Sequence, residues 1–238
     1  MTQHNIKEFK IEYINGISEY TILKSKETFS KMLSVKVLTI NSNKITNPKK
    51  ILGDVYYYVL NGKGILTVEQ LKGNWSWPLN SEDGVWIPPL SNFTIKNIGD
   101  VPLRMMEFCS KYDENKINPD EIKPQLLVSV VNRLQCPMES MVYLQLHTLF
   151  SARPEAKKIT FVGYNTFYPK GYLPRHVPNL DCEEVQYVVS GSGTMSVGDI
   201  TYDVIPGSLV YAPSHTFHDI INTSEDKPME TLICEVHP

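Results

Sequence analysis

An all-β protein built from two copies of one barrel-like or sandwich-like unit is what this sequence predicts. A repeated stretch, short alternating runs and glycine pairs at hairpin positions lead there. The repeat pairs Glu184-Val-Gln-Tyr-Val-Val-Ser-Gly-Ser-Gly193 with Val55-Tyr-Tyr-Tyr-Val-Leu-Asn-Gly-Lys-Gly64. It continues by pairing Pro213-Ser-His-Thr-Phe-His218-Asp-Ile-Ile-Asn222 with Pro88-Pro-Leu-Ser-Asn-Phe93-Thr-Ile-Lys-Asn97. The same alignment sets Asn47 opposite His176, Val55 opposite Glu184 and Phe93 opposite His218, so potential metal ligands stand in the second copy only. Four extra residues in the first copy fall around Leu71-Lys-Gly-Asn74, where a hairpin tolerates insertion.

The individual elements follow from local pattern. Val35 to Ile40, Tyr56 to Leu60, Gly64 to Val68, Phe161 to Phe167, Val185 to Val189 and Gly207 to Tyr211 are short alternating or β-branched runs, each expected as a strand. Asn61-Gly-Lys-Gly64, Ser190-Gly-Ser-Gly193 and Gly198-Asp199 supply the positive φ that tight hairpins require. These glycine strings are not phosphate loops, because no Lys-Ser or Lys-Thr pair opens a helix after them. The charged, proline-bearing stretch from Lys111 to Pro124 reads as a connection, with a short helix expected over Gln125 to Leu134 and the second unit starting near Met141. The expected division is therefore 1–112, a linker at 113–139, and 140–238.

Composition narrows the partners. The 238 residues carry 23 basic and 26 acidic side chains, intermixed, so no basic stripe is present to gather the phosphates of a nucleic acid. No apolar run approaches a membrane span, and the first residues lack the apolar core of a secretory signal, so the expectation is no membrane and a cytoplasmic location. Cys109, Cys136, Cys182 and Cys234 are dispersed without a Cys-x-x-Cys pair, which suits reduced thiols.

Strand alternation puts Glu184, Gln186 and Val188 on one face and Val185, Tyr187 and Val189 on the other. A carboxylate facing a barrel interior needs a cation, and His218 and His176 are the neutral ligands at hand. Glu184 is followed by six residues and Gly191, and His218 by three residues and Asn222, with Pro206-Gly207 ahead of it.

These spacings resemble the two motifs of the cupin superfamily, and the doubling resembles a bicupin. The resemblance implies two tandem jelly-roll barrels, homodimer formation, and a divalent metal in the second barrel. It departs at the paired histidines of the first motif, due near Pro178 and Leu180, where this chain has none. His176 is the nearest histidine, and it reaches the site only if Val177 to Cys182 bulges; Asp181, Cys182 and Glu183 are alternative ligands.

The expected metal set is His176, Glu184 and His218, with Glu184 and His218 as catalytic groups and Fe, Mn, Ni, Co or Zn as the ion. Gln186, Cys182 and His215 are weaker candidates for contact with a small-molecule substrate. His215 fits equally an exposed turn, and Cys182 an inert buried thiol. The leading expectation is a small-molecule metalloenzyme with isomerase, lyase or dioxygenase chemistry. A non-catalytic binding bicupin, or a metal-independent acid/base enzyme using Glu184 and His218, is the alternative.

Overall fold

The computed structural model describes residues 12–28, 33–70, 73–112, 128–141, 143–151, 158–177 and 181–237. In the first half the strands are β1 (Glu12–Ile14), β2 (Ile17–Leu23), β3 (Leu33–Ile40), β4 (Lys49–Lys50), β5 (Gly53–Asn61), β6 (Lys63–Gln70), β7 (Gly73–Asn80), β8 (Asp83–Ile87), β9 (Asn92–Asn97), β10 (Leu103–Lys111) and β11 (Ser129–Asn132). In the second they are β12 (Met138–Met141), β13 (Leu144–Ser151), β14 (Ile159–Phe167), β15 (Tyr172–His176), β16 (Glu183–Ser190), β17 (Gly193–Val197), β18 (Ile200–Val204), β19 (Leu209–Ala212), β20 (His218–Ile221) and β21 (Met229–Val236).

Each half is a jelly-roll pair of antiparallel sheets. The first combines the order β1-β2-β3-β10-β5-β8-β11 with β4-β9-β6-β7, and the second combines β12-β13-β14-β21-β16-β19 with β15-β20-β17-β18. The four extra residues of the first copy lengthen the β6–β7 hairpin relative to β17–β18, adding to both arms.

The repeated glycines and asparagines fix equivalent corners. Gly62 and Gly191 have φ of 97° and 74°, and a side chain at either would run into the backbone at Pro102 or Pro228. Asn222, fully buried, donates through Nδ2 to the carbonyls of Phe167 (3.0 Å), Tyr168 (3.0 Å) and Lys227 (2.8 Å) and accepts from Ser224 N–H (3.0 Å). Asn97 does the same work in the first half, donating to Ile40 and Val101 and accepting from Gly99. The last motif position is thus a fold residue in both copies.

Each barrel has an interior core, and a third cluster joins the halves. It gathers Val35, Tyr56, Tyr58, Trp86 and Phe108 of the first half with Phe150, Val162, Tyr164, Val185 and Tyr187 of the second. Trp86 stacks on Phe150 with ring centroids 5.8 Å apart, and Tyr58 meets Tyr164 at 5.6 Å. Asp54, with no exposed surface, accepts from Tyr112 Oη (2.7 Å) and from the backbone N–H groups of Lys158 (2.7 Å) and Ile159 (3.1 Å), tying the halves across this seam.

The connection is more extended than expected. Within the stretch 125–134, residues 125–127 lie outside the described residues, Ser129–Asn132 is strand, and the short helix is a single 3-10 turn at Arg133–Gln135. β11 pairs with β8, placing Val130 opposite Val85, so an available sheet edge overrides a weak helical preference in two β-branched residues. The apolar run from Met141 is likewise divided by a turn at Tyr143, φ 64°.

Candidate metal centre

Glu184 and Gln186 lie on β16 with their side chains toward the second barrel, while Val185 and Tyr187 on the opposite face enter the cluster between the halves. By the same alternation Glu183, also without exposed surface, faces away from Glu184. His218 opens β20, and His176 closes β15 directly opposite it. The pairing of β15 with β20 shifts register between Leu173 and His176, a stretch that includes Pro174, which has no N–H to continue a ladder. That irregularity carries His176 to the site, and residues 178–180, part of the expected bulge, lie outside the described residues.

Ligand atoms of His176, Glu184 and His218 all lie within 4.8 Å of one another. The two imidazole centroids are 4.2 Å apart. His176 Nδ1 is 2.9 Å from Pro174 O and His218 Nδ1 is 3.5 Å from Thr216 O, so each backbone carbonyl favours an Nδ1–H tautomer and leaves the Nε2 lone pair for a ligand bond. His218 Nε2 is buried and 3.0 Å from Glu184 Oε1, but the pair lacks hydrogen-bond alignment. With its proton on Nδ1, a neutral His218 would turn the Nε2 lone pair toward this oxygen, an arrangement that a shared cation relieves. Burial works against protonating His218, yet the neighbouring Glu184 carboxylate outweighs it and raises the pKa. The pocket is therefore built to hold positive charge, and these residues fit a divalent metal.

Behind the carboxylate runs a buried relay. Gln186 Nε2 donates to Glu184 Oε1 (2.7 Å), Thr231 Oγ1 donates to Gln186 Oε1 (2.9 Å), and Asn165 Nδ2 donates to Thr231 Oγ1 (3.3 Å). Gln186, considered from the sequence as a substrate contact, spends its amide on Glu184 and Thr231. His215 sits on an exposed turn with φ 60° and Nε2 2.9 Å from Asp181 Oδ1, so the Asp181 carboxylate is engaged there. Cys182 is buried, its Sγ 3.8 Å from Thr160 Oγ1, and burial raises its pKa, keeping it a thiol.

A cavity of about 560 Å³ opens beside the centre, with His176, Cys182 and Glu184 on one side and Leu146, Phe161 and Ile233 on another. His218 instead lines a void of about 10 Å³ that Glu184 shares. Glu235 and His237 also line the large cavity, and neither was singled out in the sequence. Glu235 faces Glu184 across the β16–β21 ladder, so both side chains leave the same sheet face. Alternation through Thr231, Ile233 and Glu235 carried that signal, but no motif did.

Among the described residues of the first barrel there is no such set. Val55 and Phe93 are buried in its interior core, with Tyr57 edge-on to Phe93 at 6.1 Å. The ladder places Lys49, not Asn47, opposite Phe93, where the second half has His176 opposite His218. The segment from His176 to Glu184 is two residues longer than that from Lys49 to Val55, which accounts for the two-residue difference from the gapless alignment.

Comparisons with known proteins agree with this architecture. Residues 163–234 match the cupin domain family. A 64-residue segment is 33% identical to an uncharacterized protein of Methanocaldococcus jannaschii, covering 27% of this chain and 46% of that protein. Over nearly the whole chain the fold is similar to oxalate decarboxylase from Lactobacillus farciminis solved with formate, with a TM-score of 0.79, 12% identity and coverage of 99% of this chain and 86% of that one. A mutant of the Bacillus subtilis oxalate decarboxylase gives 0.78 at 15% identity, covering 100% and 77%. Vicilin from hazelnut, Corylus avellana, gives 0.76 at 13% identity, covering 98% and 85%. The second half thus carries a match to the cupin domain, and the whole chain shares the two-barrel fold of these solved structures.

Proposed function

We propose that this bicupin is a divalent-metal-dependent enzyme acting on a small molecule in its second barrel. The convergence of His176, Glu184 and His218, with both imidazoles presenting Nε2, carries the reading. A neighbouring fold solved in B. subtilis oxalate decarboxylase is described by its Mn(II) centres, which supports a metal of this kind without choosing the reaction. A bound divalent ion supplies Lewis-acid polarisation of a substrate oxygen.

The chain's own residues do the rest. Leu146, Phe161 and Ile233 give the cavity apolar lining, and the Asn165–Thr231–Gln186 relay holds the Glu184 carboxylate in one orientation. Glu235, on the same face as Glu184, is placed to take or return a proton at a substrate carbon or hydroxyl. Isomerisation, elimination and decarboxylation share that requirement.

Metal analysis of protein purified without chelator, then repeated after loading with Mn(II), Fe(II), Co(II), Ni(II) or Zn(II), tests the proposal. About one equivalent per chain is expected, lost in Glu184→Ala and His218→Ala. Metal at background in the unmutated protein under every loading condition would overturn it.

A further inference from the structure

The mouth of the first barrel keeps a cavity of about 530 Å³, close to the 560 Å³ beside the metal centre. Both fall in the range of small-ligand sites. Strand for strand the two cavities correspond, since each draws on the paired strands β3 and β10 or β14 and β21 and on the edge that carries Lys49 or His176. Their chemistry differs completely.

The floor of the first cavity is an ion network. Lys49 Nζ lies 2.6 Å from Glu19 and 3.5 Å from Glu107, Lys36 Nζ lies 3.5 Å and 3.8 Å from the same two carboxylates, and Tyr57 Oη donates to Glu107 Oε2 at 2.6 Å. Glu107 is 3% exposed. Two lysines and two glutamates leave this floor neutral. Burial disfavours charge on Lys49, but Glu107 and Glu19 outweigh it and raise its pKa, so it stays an ammonium. Cys109, at the same floor, is pushed up to about 12 by burial and offers no thiolate.

The rim adds Lys24, Lys50 and Lys111, all exposed, and among the described residues no acidic side chain beyond Glu19 and Glu107 lines the cavity. Three positive charges therefore surround an opening whose floor is pre-paired and polar. A barrel needing only a filler is served at least as well by apolar side chains, because a buried ion pair seldom stabilises more than a hydrophobic replacement. The second half uses Leu146 and Ile233 on the corresponding strands. We propose that the first-barrel mouth is a second ligand site, separate from the metal centre, which binds a compact di- or trianion such as a small dicarboxylate or a phosphate.

Calorimetric titration of the full chain with succinate, and separately with inorganic phosphate, at ionic strength held constant with KCl, tests this. Saturable binding to the unmutated protein is expected, unchanged in Glu184→Gln. The rim triple variant Lys24→Gln, Lys50→Gln, Lys111→Gln, altered only at exposed positions, should weaken it about tenfold, as three partly solvated charge contacts imply. Binding of one probe and not the other identifies the carboxylate or the phosphate as the cognate group. No saturable binding of either, an affinity indifferent to the triple substitution, or loss in Glu184→Gln would overturn the proposal.

Discussion

Replacing Gln186 by Met keeps the volume of the side chain but removes both hydrogen bonds of its amide. Glu184 Oε1 then loses the 2.7 Å donor that fixes its rotamer, and Thr231 Oγ1 loses its acceptor. A hydrogen bond to a charged group contributes about 1.5–3 kcal/mol. Removing an outer partner of a metal ligand typically weakens metal affinity roughly 10–100-fold, or about 1.4–2.8 kcal/mol, and the two figures agree. Co(II) titration against a competing chelator, read from the ligand-field bands, measures this directly. Urea unfolding of the metal-free protein separates the effect on the centre from the effect on the fold. A folded Gln186→Met protein whose Co(II) affinity stays within about twofold of the unmutated chain would show that the relay does not orient the carboxylate.

Two other consequences are open to measurement. Asn222→Ala removes about three hydrogen bonds from a fully buried corner, for a loss of about 3 kcal/mol and a Tm lowered by ~6–12 °C in a chain of this length; a calorimetric Tm within ~2 °C of the unmutated protein would contradict the structural role. For Glu19, burial favours the neutral acid, but Lys49 and Lys36 outweigh it and hold the folded pKa below the ordinary glutamate value of 4.5. Its contribution is present above that unfolded value and is lost as pH falls through the folded one. The difference in urea midpoint between the unmutated protein and Glu19→Gln should accordingly be largest near pH 6 or above and shrink toward about pH 3. A pH-independent difference would refute the assignment.

Short-range patterns made much of the fold readable. The glycines at 62 and 191 and the asparagines at 97 and 222 report corners whose geometry lies within a few residues of each, so a single sequence displays them twice. Glu184 and His218 share that advantage, because each keeps a fixed spacing to such a corner. His176 does not: its place opposite His218 depends on a register shift in β15 that periodicity cannot show. Glu235 and the Lys49–Glu107 contact were hidden for another reason. Both depend on which strands become neighbours, and Lys49 and Glu107 lie 58 residues apart. The strand at Ser129–Asn132 likewise exists because β8 offers an edge.

The cluster between the halves changes what the first barrel contributes to the centre. β16 is a two-sided strand: Glu184 and Gln186 face the cavity, while Val185 and Tyr187, alternating with them, pack among side chains from the first half. A strand gripped on its far face cannot rotate its near face without opening a close-packed core, and side chains held that way lose little further freedom on binding an ion. The apolar exchanges in the first copy, Val55 and Phe93 for Glu184 and His218, belong to a barrel that is also the second barrel's support. Trp86 against Phe150 and Asp54 against the N–H groups of Lys158 and Ile159 make that support specific, because neither contact survives if the halves slide. The asymmetry of the repeat is thus one of interiors: apolar packing around Val55 and Phe93 in the first barrel, and a converging carboxylate and imidazole pair in the second, held against each other by one close-packed seam.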